Sequence, residues 1–450
     1  MTEATRFRLP DPLVLLTGGV LLAAAASWVL PAGSFERVED ADTGRMVVVA
    51  GTYQQVESSP VGLFDAFVAL PLGMADAAEV IFLIFLIGGA FTVVDESGTL
   101  RRAIASLVRG LRGHDVLIIP IVSLFFAVGG ITQNMAEEIV ALVPVVLLLT
   151  GRVGFTPTVA VAMSAGAAAV GAAFSPINPF GVLIAQGVAD LPPTSGWAFR
   201  TAVLVVALAL WTLLTMRHAL ATRTAPRAES GAPSEGLGGR DALVLAIVAA
   251  TFAVAAWGLV VPQWDFNQLA AAFFVMGLLV GGVSALGLDG TVKAYVKGFR
   301  DMAYAALLIG VARAIFVVLD QGRIIDTIVN GLFQPLAGLP PLVSALGMTI
   351  AHVAVHLPVP SNSGQAVLTM PILSPLSDLL GISRQVTVLA YQYGGVLSDV
   401  WIPTNGALMA VLAAAGVRYE EWLRFAGPLF LGLMALGMAA ISVAIAIGLG

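Results

Sequence analysis

Stretches of about twenty apolar residues recur along the whole chain, separated by short polar or charged connections. That length is what an α-helix needs to cross a bilayer. The pattern predicts about nine full spans, at 12–30, 77–97, 156–189, 197–216, 241–261, 268–287, 302–320, 383–416 and 424–448. Two further apolar stretches, 116–150 and 340–379, are too long for one span, and polar residues and glycine interrupt each in its middle. They read as re-entrant hairpins, which enter the membrane and leave on the same side. Irregular backbone at membrane depth survives only where protein or a water-filled cavity satisfies it. The expected fold class is an all-α polytopic membrane protein. Arg6 and Arg8 ahead of Leu13–Leu30 also describe a signal peptide. The run is long and the rest of the chain is equally apolar, so it is read as a retained first helix.

Composition agrees with this pattern. The 450 residues are 58% hydrophobic and 11% charged, with a mean hydropathy of +0.94. Soluble domains carry roughly a quarter charged residues, so a water-soluble enzyme is excluded. The chain has no cysteine, which excludes disulfides, thiolate catalysis, Fe–S clusters and cysteine zinc sites. The four histidines are scattered, and nothing resembles a basic nucleic-acid surface.

The distribution of Lys and Arg sets the orientation. With the N-terminus inside, most of the 22 Lys and Arg residues fall in cytoplasmic segments, including Arg101, Arg102, Arg109, Arg112, Arg152, Arg217, Arg223, Arg227, Arg240, Lys293, Lys297 and Arg300. Only Arg37, Arg45, Arg200, Arg323 and Arg384 fall outside, and Arg313 lies within a span. The C-terminus is then outside. The outer loop 31–76 carries Glu36, Glu39, Asp40, Asp42 and Glu57 and is expected to fold weakly.

The stretch 221–240, rich in Ala, Gly, Pro and Ser, reads as a cytoplasmic linker between a first half, 1–220, and a second, 241–450. The halves echo each other. At one constant offset Asn134 falls on Ser361, Pro144 on Pro371, Gly154 on Gly381, Pro176 on Pro403 and Asn178 on Asn405. Phe91 and Asp95 fall on Phe316 and Asp320 at nearly the same offset. The hairpin 116–150 and broken span 156–189 thus correspond to the hairpin 340–379 and broken span 383–416, in opposite membrane orientation. Inverted repeats with interrupted helices at matching positions mark secondary transporters.

The interruptions carry the candidate chemistry. Two are hairpin tips, Gly129-Gly130-Ile131-Thr132-Gln133-Asn134 leading into Glu137-Glu138, and Pro358-Val359-Pro360-Ser361-Asn362-Ser363-Gly364-Gln365. Two break spans, Ser175-Pro176-Ile177-Asn178-Pro179 and Trp401-Ile402-Pro403-Thr404-Asn405-Gly406. Proline and glycine free backbone groups there. Half-helix N-termini attract anions, while carbonyls and Asn, Ser and Thr oxygens suit Na⁺ or an ammonium group. Kinks that only shape packing are the alternative. Glu137 and Glu138 are costly inside a membrane and usually functional; they bind a cation, carry a proton, replace a metal ion or cap a half-helix. Asp399 pairs with a cation, a substrate amine or a protein group. Arg313 either clamps a substrate carboxylate or serves as a partner for Asp320 or Asp399. His352 and His356 sit four apart without a third metal ligand, which favours hydrogen bonding within the hairpin. Tyr391-Gln392-Tyr393 lines a pocket or packs.

These residues resemble the YfcC-like branch of the DcuC-type family of four-carbon dicarboxylate anaerobic carriers, within the ion-transporter superfamily. The resemblance runs through Pro31-Ala32-Gly33-Ser34-Phe35-Glu36-Arg37, Gly51-Thr52-Tyr53, Ile87-Gly88-Gly89-Ala90-Phe91, Met135-Ala136-Glu137-Glu138, Ala312-Arg313, Ser361-Asn362-Ser363-Gly364-Gln365-Ala366, Met370-Pro371-Ile372 and Pro403-Thr404-Asn405. It implies an elevator-type secondary carrier of the bacterial cytoplasmic (inner) membrane, assembled as a homodimer and using no cofactor. It also implies Na⁺ or H⁺ coupling. The tip Ser361, Asn362, Ser363, with Thr404 and Asn405, fits the superfamily's Na⁺ pattern; the first tip, where Asn134 is followed by Met, Ala and two glutamates, departs from it. The implied substrate contacts are Asn134, Glu137, Glu138, Asn178, Arg313, Ser361, Asn362, Ser363, Gln365, Asp399, Thr404 and Asn405. The broad family is named for dicarboxylates and the branch is linked with basic amino-acid exchange, such as arginine and ornithine. A dicarboxylate site should be net positive, yet Glu137, Glu138 and Asp399 face Arg313 alone. The charges therefore lean towards an amino acid. A membrane-embedded enzyme built on Ser361 and His356, or a channel, are the rival readings.

Overall fold

The computed structural model describes residues 11–39, 46–49, 51–100, 102–103, 106, 115–224, 237–260, 264 and 266–450. Most of the linker 221–240, together with Arg6, Arg8, Asp40, Asp42, Arg45, Arg101, Arg109, Arg112 and Arg227, lies outside the described residues.

The described chain is predominantly helical. Its helices are α1 (Pro12–Val29), α2 (Leu63–Asp76), α3 (Ala78–Glu96), α4 (Ile118–Gln133), α5 (Glu137–Val153), α6 (Pro157–Phe174), α7 (179–188), α8 (Trp197–Ala221), α9 (Gly239–Val260), α10 (Phe266–Val283), α11 (Gly287–Gln321), α12 (Ile325–Phe333), α13 (Pro341–His356), α14 (Asn362–Leu379), α15 (Arg384–Gly394), α16 (Gly406–Ala415) and α17 (Tyr419–Ala446). Seven described segments are long and apolar enough to cross a membrane: Ala78–Glu96, Asp115–Thr132, Pro157–Phe174, Trp197–Ala221, Phe266–Val283, Gly287–Gln321 and Tyr419–Ala446. The chain is a multi-pass membrane protein.

Two local expectations need correction. The outer loop is firmly built, and it is not helical throughout. Four short strands, β1 (Gly33–Ser34), β2 (Arg37–Glu39), β3 (Met46–Val48) and β4 (Gln54–Gln55), pair antiparallel as β1 with β4 and β2 with β3. The loop is pinned to α12 where Arg37 and the Phe35 amide both donate to Asp326, at 2.7 and 2.9 Å, and Tyr53 meets Thr327 at 2.9 Å. The second correction concerns 302–320, which is only the latter part of α11, a helix of 35 residues. At 1.5 Å per residue it is about 52 Å long. Lys293, Lys297 and Arg300 mark where apolar character stops, but no proline stops the helix there.

Small residues let helices approach closely, as membrane interfaces require. A Cβ on Gly298 of α11 would lie 2.6 Å from the Gly89 Cα of α3. One on Gly130 of α4 would lie 2.0 Å from the Ala168 carbonyl oxygen of α6. Around these crossings, α11 packs against α1, α2, α3 and α16.

Hydrogen bonds at the two ends of α8 show how the hairpins run. Just beyond its C-terminal end, Arg223 binds Asp115 at 2.6 Å and the Val153 carbonyl at 3.1 Å. The α4–α5 hairpin therefore starts and finishes at that end. At the opposite end of α8, Ser195 accepts from Gln385. The neighbouring Arg384 joins Asp378, at the end of α14, to Asp190. The end of α14 therefore lies at that end of α8, away from Asp115 and Val153.

Candidate functional site

Both hairpin tips and both helix breaks converge on one polar cluster. α4 stops at Gln133 because Asn134 turns left-handed, with φ 56° and ψ 37°, a conformation that asparagine tolerates better than most residues. α5 then starts at Glu137, and the Glu138 side chain accepts from the Ala136 amide at 3.2 Å. Asn178 caps α7 by accepting from the amides of Phe180 and Gly181 at 3.0 and 2.8 Å. Ser361 caps α14 through the Gly364 amide at 3.2 Å, and Asn405 caps α16 through the Leu408 amide at 2.9 Å. Four helices thus begin beside one another, and their partial positive ends point into the cluster.

The caps also bond to each other. Asn362 donates to Asn134 at 2.9 Å and to Asp399 at 3.1 Å. Asn178 donates to the Gly130 carbonyl at 2.7 Å and approaches the Asn134 oxygen at 3.4 Å. Asn405 donates to Asp399 at 2.6 Å. The third Asp399 contact is His356 Nε2 at 2.9 Å, and His356 Nδ1 meets Gln365 at 2.6 Å. Asn134, Asn178, Asn362, Gln365, Asp399 and Asn405 are therefore one network. Glu137 stands within electrostatic range of both Glu138 and Asp399.

Asn134, Asp399 and Asn405 line a narrow crevice of about 30 Å³, walled by Met135, Ala165, Ala169 and Trp422. No Lys or Arg is among the described residues lining it. Ser361 and Ser363 instead line a separate vestibule of about 660 Å³ under the outer loop, together with Arg37, Arg313, Asp320 and Asp326. Arg313 is outside the network. Its described partner is Asp76, not Asp320 or Asp399, and its guanidinium lies 4.5 Å over the Phe316 ring.

Several of the oxygens implied for Na⁺ are engaged within the protein. Asn362 and Asn405 turn their amide nitrogens towards Asp399, while the Asn405 and Ser361 oxygens serve as caps. Carbonyls at the second break and tip are taken: Val400 by Trp422 at 2.8 Å, Trp401 by Tyr419 at 2.6 Å and, at the tip, Asn362 by Tyr391 at 2.6 Å. Among the implied ligands, Asn362 Oδ1 and Thr404 Oγ1 are buried without a partner.

Sequence reasoning left His356 out of the site. Its spacing from His352 pointed to bonding within the hairpin, which the Gln365 contacts match, but nothing local connected it to Asp399. Gln392, treated as lining or packing, joins Arg200 at 2.8 Å to the Ser175 carbonyl at 2.8 Å, steadying the first break from behind.

A multi-pass helical chain whose broken helices meet in one polar cluster beside a crevice has the build of a membrane transporter. Residues 9–446 match the model of the C4-dicarboxylate anaerobic carrier family. The chain belongs to that family of transporters. It is 32% identical to the Escherichia coli (strain K12) protein named "Putative basic amino acid antiporter YfcC", over 95% of this chain and 94% of that one. An uncharacterized Haemophilus influenzae protein is 28% identical over 98% of both chains. Among solved structures, the Alcanivorax borkumensis YdaH transporter is similar at TM-score 0.46 and 19% identity, covering 98% of this chain and 99% of that one. Neisseria gonorrhoeae MtrF is similar at TM-score 0.41 and 18% identity, covering 96% and 95%.

Proposed function

We propose that this transporter exchanges basic amino acids, of the arginine or ornithine type, across the bacterial cytoplasmic (inner) membrane. One observation carries the reading. The crevice combines the N-terminal ends of α5 and α16 with Asp399; Glu137 and Glu138 sit on the first turn of α5 beside it, and no Lys or Arg lines it among the described residues. Helix N-termini receive an α-carboxylate, and the carboxylates receive a guanidinium or ammonium group. A dicarboxylate would meet acids with no fixed cation to offset them. The name of the Escherichia coli relative points the same way.

The mechanism proposed is elevator-type alternating access. The two hairpins, read as re-entrant, move with their broken helices as one body against α1, α3, α10 and α11, in a homodimer oriented N-inside and C-outside. The halves 1–220 and 241–450 act as inverted repeats around the crevice. Hairpin ends tied to opposite ends of α8, and tips that touch at Asn134 and Asn362, support this arrangement. The absence of an ATPase motif from the sequence favours a gradient or counter-substrate as the energy source.

Counterflow in proteoliposomes tests the proposal. Internal unlabelled ornithine is expected to drive uptake of labelled arginine, with loss in Asn362→Ala and Glu138→Gln. Trans-stimulation by succinate or fumarate, with none by ornithine, overturns it in favour of dicarboxylate carriage. Product formation without accumulation would signal an enzyme, and uptake without trans-stimulation a channel.

A further inference from the structure

Behind Asp399 lies a hydrogen-bond chain whose directions are fixed. The Gln365 side-chain nitrogen is 2.9 Å from the His352 backbone carbonyl. A carbonyl only accepts, so this end of the amide must be its NH₂ group. Its second hydrogen meets His352 Nδ1 at 3.0 Å, which is therefore the unprotonated nitrogen of a neutral ring. The opposite end of the amide is then its oxygen, and it faces His356 Nδ1 at 2.6 Å. That nitrogen must carry a proton. His356 Nε2 faces an Asp399 oxygen at 2.9 Å. A neutral imidazole protonated on Nδ1 would present a lone pair to a carboxylate oxygen, two acceptors in contact. A further proton must lie between them, on Nε2 or on the carboxyl. The pair is consequently electroneutral as a unit, and it holds one removable proton.

The positions of the two residues give that proton a use. The His356 side chain is 0% exposed, and Asp399 is 17% exposed and lines the crevice. Anything that reaches the pair reaches Asp399 first. The titratable groups facing it are Glu137 and Glu138 from α5, His352 from α13 and Tyr391 from α15, whose hydroxyl is spent on the Asn362 carbonyl.

We infer that the His356–Asp399 pair is a proton-for-cation exchange site, in which a guanidinium or ammonium group docking on Asp399 displaces the shared proton. The step balances. The hydrogen bond between His356 and Asp399 opens, the proton passes to water in the crevice, and the cation takes its place against the carboxylate. His356 stays neutral, its Nδ1–H still held by Gln365, and its freed Nε2 lone pair accepts a hydrogen bond from the incoming cation. One positive charge leaves for each that arrives, so the buried site has the same charge in its proton-loaded and substrate-loaded states. His356 is a positioning residue that lets Asp399 stand without substrate in a low-dielectric setting, where a lone carboxylate is costly. This rests on the cationic-substrate reading for the docking step alone; the shared proton stands without it.

Two measurements separate these layers. In the substrate-free protein, ¹⁵N-histidine NMR of the native chain minus His356→Gln isolates the His356 ring. A protonated Nδ1 is expected, and a bare Nδ1 with a simple Nε2–H overturns the shared proton. Should His356→Gln fail to fold, His114→Gln, His218→Gln and His352→Gln spectra assign the other three rings by difference and leave that of His356. In weakly buffered detergent solution, a pH indicator is then followed while arginine or ornithine is added, with thermal stabilisation recorded in parallel. About one proton released per bound cation is expected from the native protein, and none from a His356→Gln protein that still binds. Stabilisation without proton release overturns the exchange. No stabilisation by either amino acid overturns the cationic docking step and the substrate reading, and leaves the NMR result to decide the proton.

Discussion

Asn134 holds three jobs in one residue. Its backbone is left-handed at φ 56°, and its side-chain oxygen receives Asn362 at 2.9 Å while Asn178 approaches at 3.4 Å. It is the point where the two tips touch. Asn134→Ala should remove the acceptor and also strain the turn. A buried donor left without a partner costs about 1–3 kcal/mol, and a left-handed non-glycine residue about 1–2 kcal/mol. Asn134→Gly should restore the turn but not the acceptor. The expected order of melting temperature in detergent is native, then Gly, then Ala, with counterflow lost in both variants. Equal melting of the Gly and Ala proteins would show that backbone conformation contributes nothing there.

At the scale of elements, what matters is how closely helices approach the site. Gly130 of α4 touches the Ala168 carbonyl of α6, and Gly171 of α6 touches the Ala127 carbonyl of α4; an added Cβ would come to 2.0 and 2.5 Å of those oxygens. The neighbouring Gly130 carbonyl also receives Asn178, so separating these helices pulls the first break off the first tip. Gly130→Ala should therefore cost about 1–3 kcal/mol as an overpacked core does, and should abolish exchange. Gly432→Ala, which meets nothing within 4 Å, should do neither. A Gly130→Ala protein with native counterflow would show that the hairpin and broken helix need not be in contact.

The same scale shows what could be read without coordinates. The spans were legible because a bilayer leaves the backbone no partners but its own. The tips at Asn134 and Asn362 were legible because polar residues in apolar runs are expensive. The full length of α11 was not, since Lys293 and Lys297 end an apolar run without ending a helix. Neither was the outer loop's rigidity, which depends on Asp326 reaching Arg37 and the Phe35 amide from far along the chain. His356 was hidden for the same reason: its chemistry comes from Asp399, which no periodicity on α13 announces.

At the scale of the whole molecule, the question is which way each hairpin opens. Arg223 ties both ends of the α4–α5 hairpin to one end of α8, and Arg384 ties the end of α14 to the face at α8's other end. Because α8 is a span of 25 residues, these roots lie on opposite sides of the bilayer if the inverted-repeat proposal holds. The chain contains no cysteine, so single cysteines report their side without a background to remove. Leu379, at the end of α14, is 86% exposed, and Leu288, at the start of α11, is 88% exposed. In intact cells a membrane-impermeant maleimide should label Leu379→Cys. It should label Leu288→Cys, and Leu117→Cys at the root of the first hairpin, only after permeabilisation. Labelling Leu117→Cys and Leu379→Cys from the same side would leave the tips meeting from one face. Alternating access by two opposed hairpins would then have no structural basis, whatever the substrate.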